Sequence, residues 1–131
     1  MKRTAVNPWK WSLPFGFNQG ELVEAPTRTL YCAGQTAVDA KGNPQHEGDL
    51  SAQVDLALDN LEAVLKEAGM SLSDVVRLTV YTTDVDAMIE HFGKLSGRLA
   101  AANVRPAQTM LGVARLAFPS IMVELEATAV A

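Results

Sequence analysis

Apolar residues recur along the chain at two spacings, and the change from one to the other lays out the elements. Leu50, Val54, Leu58, Leu61, Leu65 and Ala68 stand three or four positions apart, the spacing of one helical face. Asp49 precedes this run as an N-cap candidate, and Gly69 follows it as a stop. A second stripe, Val85, Met88, Phe92, Leu95 and Leu99, predicts a helix that begins near Asp84 or Asp86. It must finish before Pro106, which biases Arg105 toward extended backbone. Between the two helices the segment VVRLTVYT, Val75 to Thr82, alternates. It sets Val76, Leu78 and Val80 on one face of a strand and Arg77, Thr79 and Tyr81 on the other. Further strands are predicted over Ala107 to Val113 and Ile121 to Val130, joined by a loop at Phe118-Pro119-Ser120. Ahead of the first helix, ELVEA and TLYCAGQTAV flank Pro26-Thr27-Arg28 and read as a hairpin, and Asp39 to Pro44 is rich in turn residues.

This β-β-α-β-α-β-β order predicts one α+β domain over residues 1–131 with both helices on a single sheet face. The opposite face carries apolar residues at alternate positions and the chain is too short for a third layer, so a second subunit is expected to cover it. At 131 residues the chain is long enough to bury a core without disulfides, and its single cysteine, Cys32, permits no internal one. No apolar run reaches the roughly 18 residues of a membrane span, and no apolar stretch follows the early Lys2 and Arg3 as a secretory signal requires. A globular cytoplasmic protein with no membrane partner is expected. The net charge of −4 argues against a broad phosphate-binding surface, so nucleic acid is a minor reading.

Candidate chemistry concentrates in the last strand, where alternation puts Glu124 and Glu126 on the same face. One reading leaves both carboxylates in solvent; the sharper one seats one of them in a cleft, where desolvation or its neighbour suits it to proton transfer. Cys32, in a strand with no activating base beside it, reads as a buried thiol. Trp9, Trp11, Phe15 and Phe17 either pack in the core or between subunits, or wall a cleft. His91 reads as a proton shuttle or as a packed histidine, and Arg105 and Arg115 as anion binders or as exposed or ion-paired side chains. No nucleophile elbow, metal-ligand spacing, phosphate loop or dinucleotide fingerprint occurs, so no cofactor and no metal are expected.

FGFNQG, YCAGQTAVDAKG, AQVDLALDNLEAVLKEAG, RLTVYTTDVD, RPAQTMLGVARL and VELEATAVA fall in one register from about Phe15 to Ala131. Together they resemble the reactive intermediate deaminase family (RidA-like, YjgF-type). The resemblance implies a chorismate-mutase-like fold, one mixed β-sheet with two helices on one face, and a homotrimer whose sheets form a central barrel with small-molecule clefts between subunits. It implies hydrolysis of reactive enamines and imines to a carbonyl product and ammonia. The family's cleft glutamate matches Glu124, though the loop before it is one residue longer here, and its cleft glycine matches Gly34. The substrate-binding arginine after Pro-Ala is replaced by Gln108. The cysteine two residues later is Met110, the cleft tyrosine is Phe17, the serine before the glycine is Ala33, and an asparagine on the second helix is His91. Loss of the arginine's charged hydrogen bonds weakens carboxylate binding by about ten- to a hundredfold. The implied activity is therefore a cofactor-free imine or enamine deaminase poorly suited to 2-aminoacrylate itself. In it Glu124 is catalytic, and Gln108, Gly34, His91, Phe17, Ala33 and Met110 line the substrate site. The missing polar groups keep open a non-catalytic trimer that binds a small metabolite or a protein. The acidic balance disfavours the endoribonuclease activity attributed to some relatives.

Overall fold

The computed structural model describes all 131 residues. Helix α1, Leu50–Glu67, follows its sequence pattern: the Asp49 side chain accepts from the Ala52 amide at 3.0 Å, and Gly69 leaves the helix in the left-handed region at φ +71°. Its buried stripe of Val54, Leu58, Leu61 and Leu65 lies on a four-stranded sheet built from β3 (Thr29–Gln35), β4 (Val75–Thr82), β5 (Ala107–Gly112) and β6 (Val123–Val130). The order is β3-β6-β4-β5, with β6 antiparallel to both its neighbours and β5 parallel to β4. The α+β class with a mixed sheet is as expected. Helix packing closes one face: Leu78, Val80, Leu125 and Ala127 point into the same cluster as Leu58, Met88, Leu95 and Leu99.

Three local expectations need correction. The predicted hairpin across Pro26-Thr27-Arg28 does not form. Instead β2, Gly20–Glu24, pairs antiparallel with an N-terminal strand, β1 (Lys2–Val6), that the pattern missed. The cause lies in the connecting turn. Ala25 takes φ +52°, and the Thr27 and Arg28 amides both donate to the Ala131 carbonyl, at 2.9 and 3.0 Å, which docks β3 beside β6 rather than back on β2. The second helix is two. Asp84 caps α2, Val85–Glu90, by accepting from Ala87; the chain breaks at His91 and resumes as α3, Phe92–Ala101. Val85, at the solvent end of the stripe, stays 37% exposed. In β4 a bulge between Val75 and Arg77 shifts the alternation, so Val75 takes the core place assigned to Val76.

Two sets of polar contacts hold the layers in register. Arg98 on α3 reaches Asp59 at 2.9 Å, the Asp55 carbonyl at 3.0 Å and Glu62, all on α1. Gln53, fully buried on α1, donates to the carbonyls of Ser120 (2.8 Å) and His46 (3.1 Å) and accepts from the Met122 amide at 2.8 Å. That clamp fixes the loop before β6, and hence where β6 begins. No helix is long and apolar enough to cross a membrane.

Candidate functional site

Sheet alternation decides which candidates can meet. Glu124 stands opposite Tyr81 and Glu126 opposite Thr79, so both carboxylates lie on the face without helices. Glu126 is exposed, with the Tyr81 hydroxyl 3.5 Å from its Oε1, whereas Glu124 is half-buried. The covering group is backbone. The ladder between β3 and β6 is irregular between Cys32 and Gln35, and this brings Gly34 beneath the Glu124 side chain. A Cβ at position 34 would fall 1.8 Å from Glu124 Oε1, 2.7 Å from its Cδ and 3.0 Å from its Cγ. Only glycine lets the carboxylate rest there, which gives the Gly34 of the sequence comparison a steric reason. Glu124 has no ion-pair partner in the chain. A carboxylate shielded on one side by peptide and open on the other is placed to accept a proton from water.

Gln108 and Met110 fall elsewhere. Gln108 pairs with Leu78 and Met110 with Val80, so both point to the helix-covered side of β5. Met110 packs against the core, and the Gln108 Oε1 is buried with no hydrogen-bond partner. Within one chain, then, the sheet stands between Glu124 and Gln108. Ala33 is exposed beside Gly34. His91 is half-buried at the break between α2 and α3. Phe17 is half-buried and meets Trp11 edge-on, with centroids 5.8 Å apart. Trp9, Trp11 and Phe15 are 64%, 60% and 56% exposed, so this cluster is no part of the chain's own core.

The remaining candidates sort by burial. Cys32 is buried, and desolvation pushes its thiol above the ordinary value, which makes it inert rather than nucleophilic. Arg115 is exposed, its Nε donating to the Leu116 carbonyl at 3.3 Å. Arg105 lines a separate cleft, away from Glu124. No group of three or more His, Cys, Asp or Glu side chains is arranged to hold a metal ion. Sequence reasoning missed Gln53, which positions the β6 entry, because an amide inside an apolar stripe has no local signature. It also missed the β1–β2 ribbon, for which the alternation of Lys2 to Val6 was a usable but weak signal.

Comparison with known proteins places this geometry in context. The family model described as Endoribonuclease L-PSP matches residues 16–131. A RutC family protein of Pyrococcus horikoshii is 34% identical over 102 residues, 76% of this chain and 77% of its own. The 2-iminobutanoate/2-iminopropanoate deaminase of Salmonella typhimurium is 32% identical over 99 residues, 75% of this chain and 76% of its own. Among solved structures, the Rid family protein YyfB of Yersinia pestis superposes with a TM-score of 0.85 at 36% identity, covering 100% of both chains.

Proposed function

The chain belongs to the Endoribonuclease L-PSP family, the RidA-like, YjgF-type group, and from that premise we propose that it is a cofactor-free hydrolytic deaminase of reactive imine or enamine metabolites. The observation that carries the reading is the half-buried Glu124 carboxylate seated on Gly34. As the water oxygen bonds to the imine carbon, Glu124 takes one of the water's protons and passes it to nitrogen, giving a carbinolamine. The carboxylate then takes the hydroxyl proton and delivers it to the amine, the C–N bond breaks, and ammonia leaves as the carbonyl forms. An enamine first takes a proton on carbon and follows the same course. General acid-base assistance of this kind supplies about 10² to 10⁴ in rate, enough for substrates that already hydrolyse unaided.

Gln108 bears on the substrate. An amide donates only as a neutral dipole, so it does not replace the two-pronged ion pair that an arginine makes with a carboxylate. The favoured substrate is therefore an imine or enamine other than 2-aminoacrylate. One relative is a 2-iminobutanoate/2-iminopropanoate deaminase, which supports the reaction class. Because Gln108 and Glu124 lie on opposite faces of one sheet, we place the complete site between copies, the bare face of one against the β5 edge of the next, in a homotrimer.

Ammonia release from imines generated in place by an amino-acid oxidase tests the proposal. The wild type accelerates release from at least one substrate, and Glu124→Gln loses about a hundredfold or more. No acceleration by either protein across the panel overturns it. The second reading, a non-catalytic trimer that binds a metabolite or protein, is favoured by the buried, unpartnered Gln108 carbonyl on the far side from Glu124.

A further inference from the structure

A cleft of about 750 Å³ opens between α3, the β1–β2 ribbon and the 3₁₀ turn at Leu13–Phe15. It contains none of Glu124, Gly34 or Gln108. Its size is that of a small-molecule site, but only four of its fourteen lining residues are hydrophobic, which calls for a polar occupant. The α3 wall is made by Gly93, Ser96, Gly97 and Ala100, with the two glycines four residues apart in a ten-residue helix. Each glycine costs the helix stability relative to alanine, yet a Cβ at either position would meet nothing within 4 Å. Packing inside the chain therefore does not require them, and their effect is to keep the cleft open.

The floor is charged and built. Glu21 has only 8% of its side chain exposed; its Oε1 accepts from Asn18 Nδ2 at 3.1 Å and pairs with Arg3 at 3.5 Å, while nothing in the chain bonds its Oε2. Asn18, itself buried, is fixed by Asn7 Nδ2 at 2.9 Å, and Arg3 is anchored on the Val75 carbonyl at 3.1 Å. Arg3 and Glu21 offset each other. Arg105, exposed at the rim, has neither an ion pair nor a side-chain hydrogen bond, and so leaves the cleft one positive charge in surplus. The Glu21 Oε2, left without a protein partner on a side chain that is otherwise nearly buried, can accept from a ligand's donor, and the exposed Arg105 guanidinium can take an anion in place of water.

We propose that this cleft is a second binding site, separate from the Glu124 site, for a small molecule that carries a carboxylate and a cationic or hydroxyl donor, such as an amino acid. The carboxylate meets Arg105 and the donor meets Glu21 Oε2.

The test titrates ¹⁵N-labelled full-length protein with glycine, β-alanine and γ-aminobutyrate, a series that varies the charge separation, with acetate and methylammonium as single-charge controls. At least one amino acid should bind saturably, moving the Gly93, Gly97 and Asn18 amides, and about tenfold or more tighter than either control. Arg105→Ala and Glu21→Gln should each weaken it by a similar factor. Gly97→Leu, which fills the cleft from a helix that tolerates leucine well, should abolish it and leave Glu124-dependent ammonia release intact. The proposal fails if no amino acid outbinds the controls, or if the shifts map to Glu124 and Gly34. It also fails if binding survives Gly97→Leu, or if that variant changes the oligomeric state in sedimentation, which would make the glycine face a contact between copies. The binding and sedimentation outcomes do not depend on the deaminase reading; only the ammonia-release control does.

Discussion

The two faces of the one sheet obey opposite rules. On the helix side, Leu78, Val80, Leu125 and Ala127 are all at most 2% exposed and meet α1 and α3 in a continuous apolar layer. On the other side Tyr31 is 79% and Leu111 45% exposed, and polar or charged groups alternate with them: Arg77, Thr79, Glu124 and Glu126. Stability resides where the chain can bury surface against itself, and the proposed chemistry where it cannot. Glu124 shares a strand with Leu125, one residue away and facing the opposite environment. A one-residue slip of β6 would exchange them, which is why the Gln53 clamp on the loop before β6 matters to both faces.

The contrast can be broken at each face. Leu58→Ala, on the closed side, should cost about 2 to 5 kcal/mol in urea unfolding while the folded fraction keeps its turnover. A loss of turnover per folded molecule would show the faces are not independent. Gly34→Ala is the reverse case: the new Cβ displaces the Glu124 carboxylate, so activity should fall by about a hundredfold with the unfolding midpoint nearly unchanged. Wild-type activity would mean that the position of the carboxylate does not matter. Gln108 sharpens the boundary. Gln108→Leu removes a buried, unpartnered carbonyl and should stabilise the fold by about 1 kcal/mol, whereas destabilisation would reveal a partner supplied by another copy. Gln108→Arg should raise turnover of carboxylate-bearing imines by about tenfold. The smallest effect belongs to Cys32. Burial raises its thiol above the ordinary 9.0, so the folded state holds the proton longer than the unfolded one. Its contribution is present below pH 9 and is lost as pH rises from there through the folded value, and Cys32→Ala should flatten that alkaline decline in a pH series of unfolding curves.

Periodicity located α1 and the span of β4 closely, α1 because its stripe carries its own cap and stop, and β4 because its alternation is regular once past the bulge at its start. It failed where the deciding partner is distant in sequence. Nothing near Pro26 records that Ala131 will take the Thr27 and Arg28 amides, so the β2–β3 hairpin looked sound and β1 went unseen. The break at His91 was hidden for a similar reason: the stripe from Met88 to Leu99 runs through it without interruption, and only the backbone shows the helix restarting.

For the candidate site, the sequence by itself determined the residue types, the family resemblance and, through the period of two, that Glu124 and Glu126 share a face. Strand alternation is local covalent geometry, so it survives any tertiary arrangement. Only the folded chain decided that Glu124 rests on Gly34, that Gln108 points through the sheet to the other side, and that Arg3, Glu21 and Arg105 line one cleft. Those facts depend on strand register and on contacts between residues up to about a hundred positions apart, which no local pattern encodes.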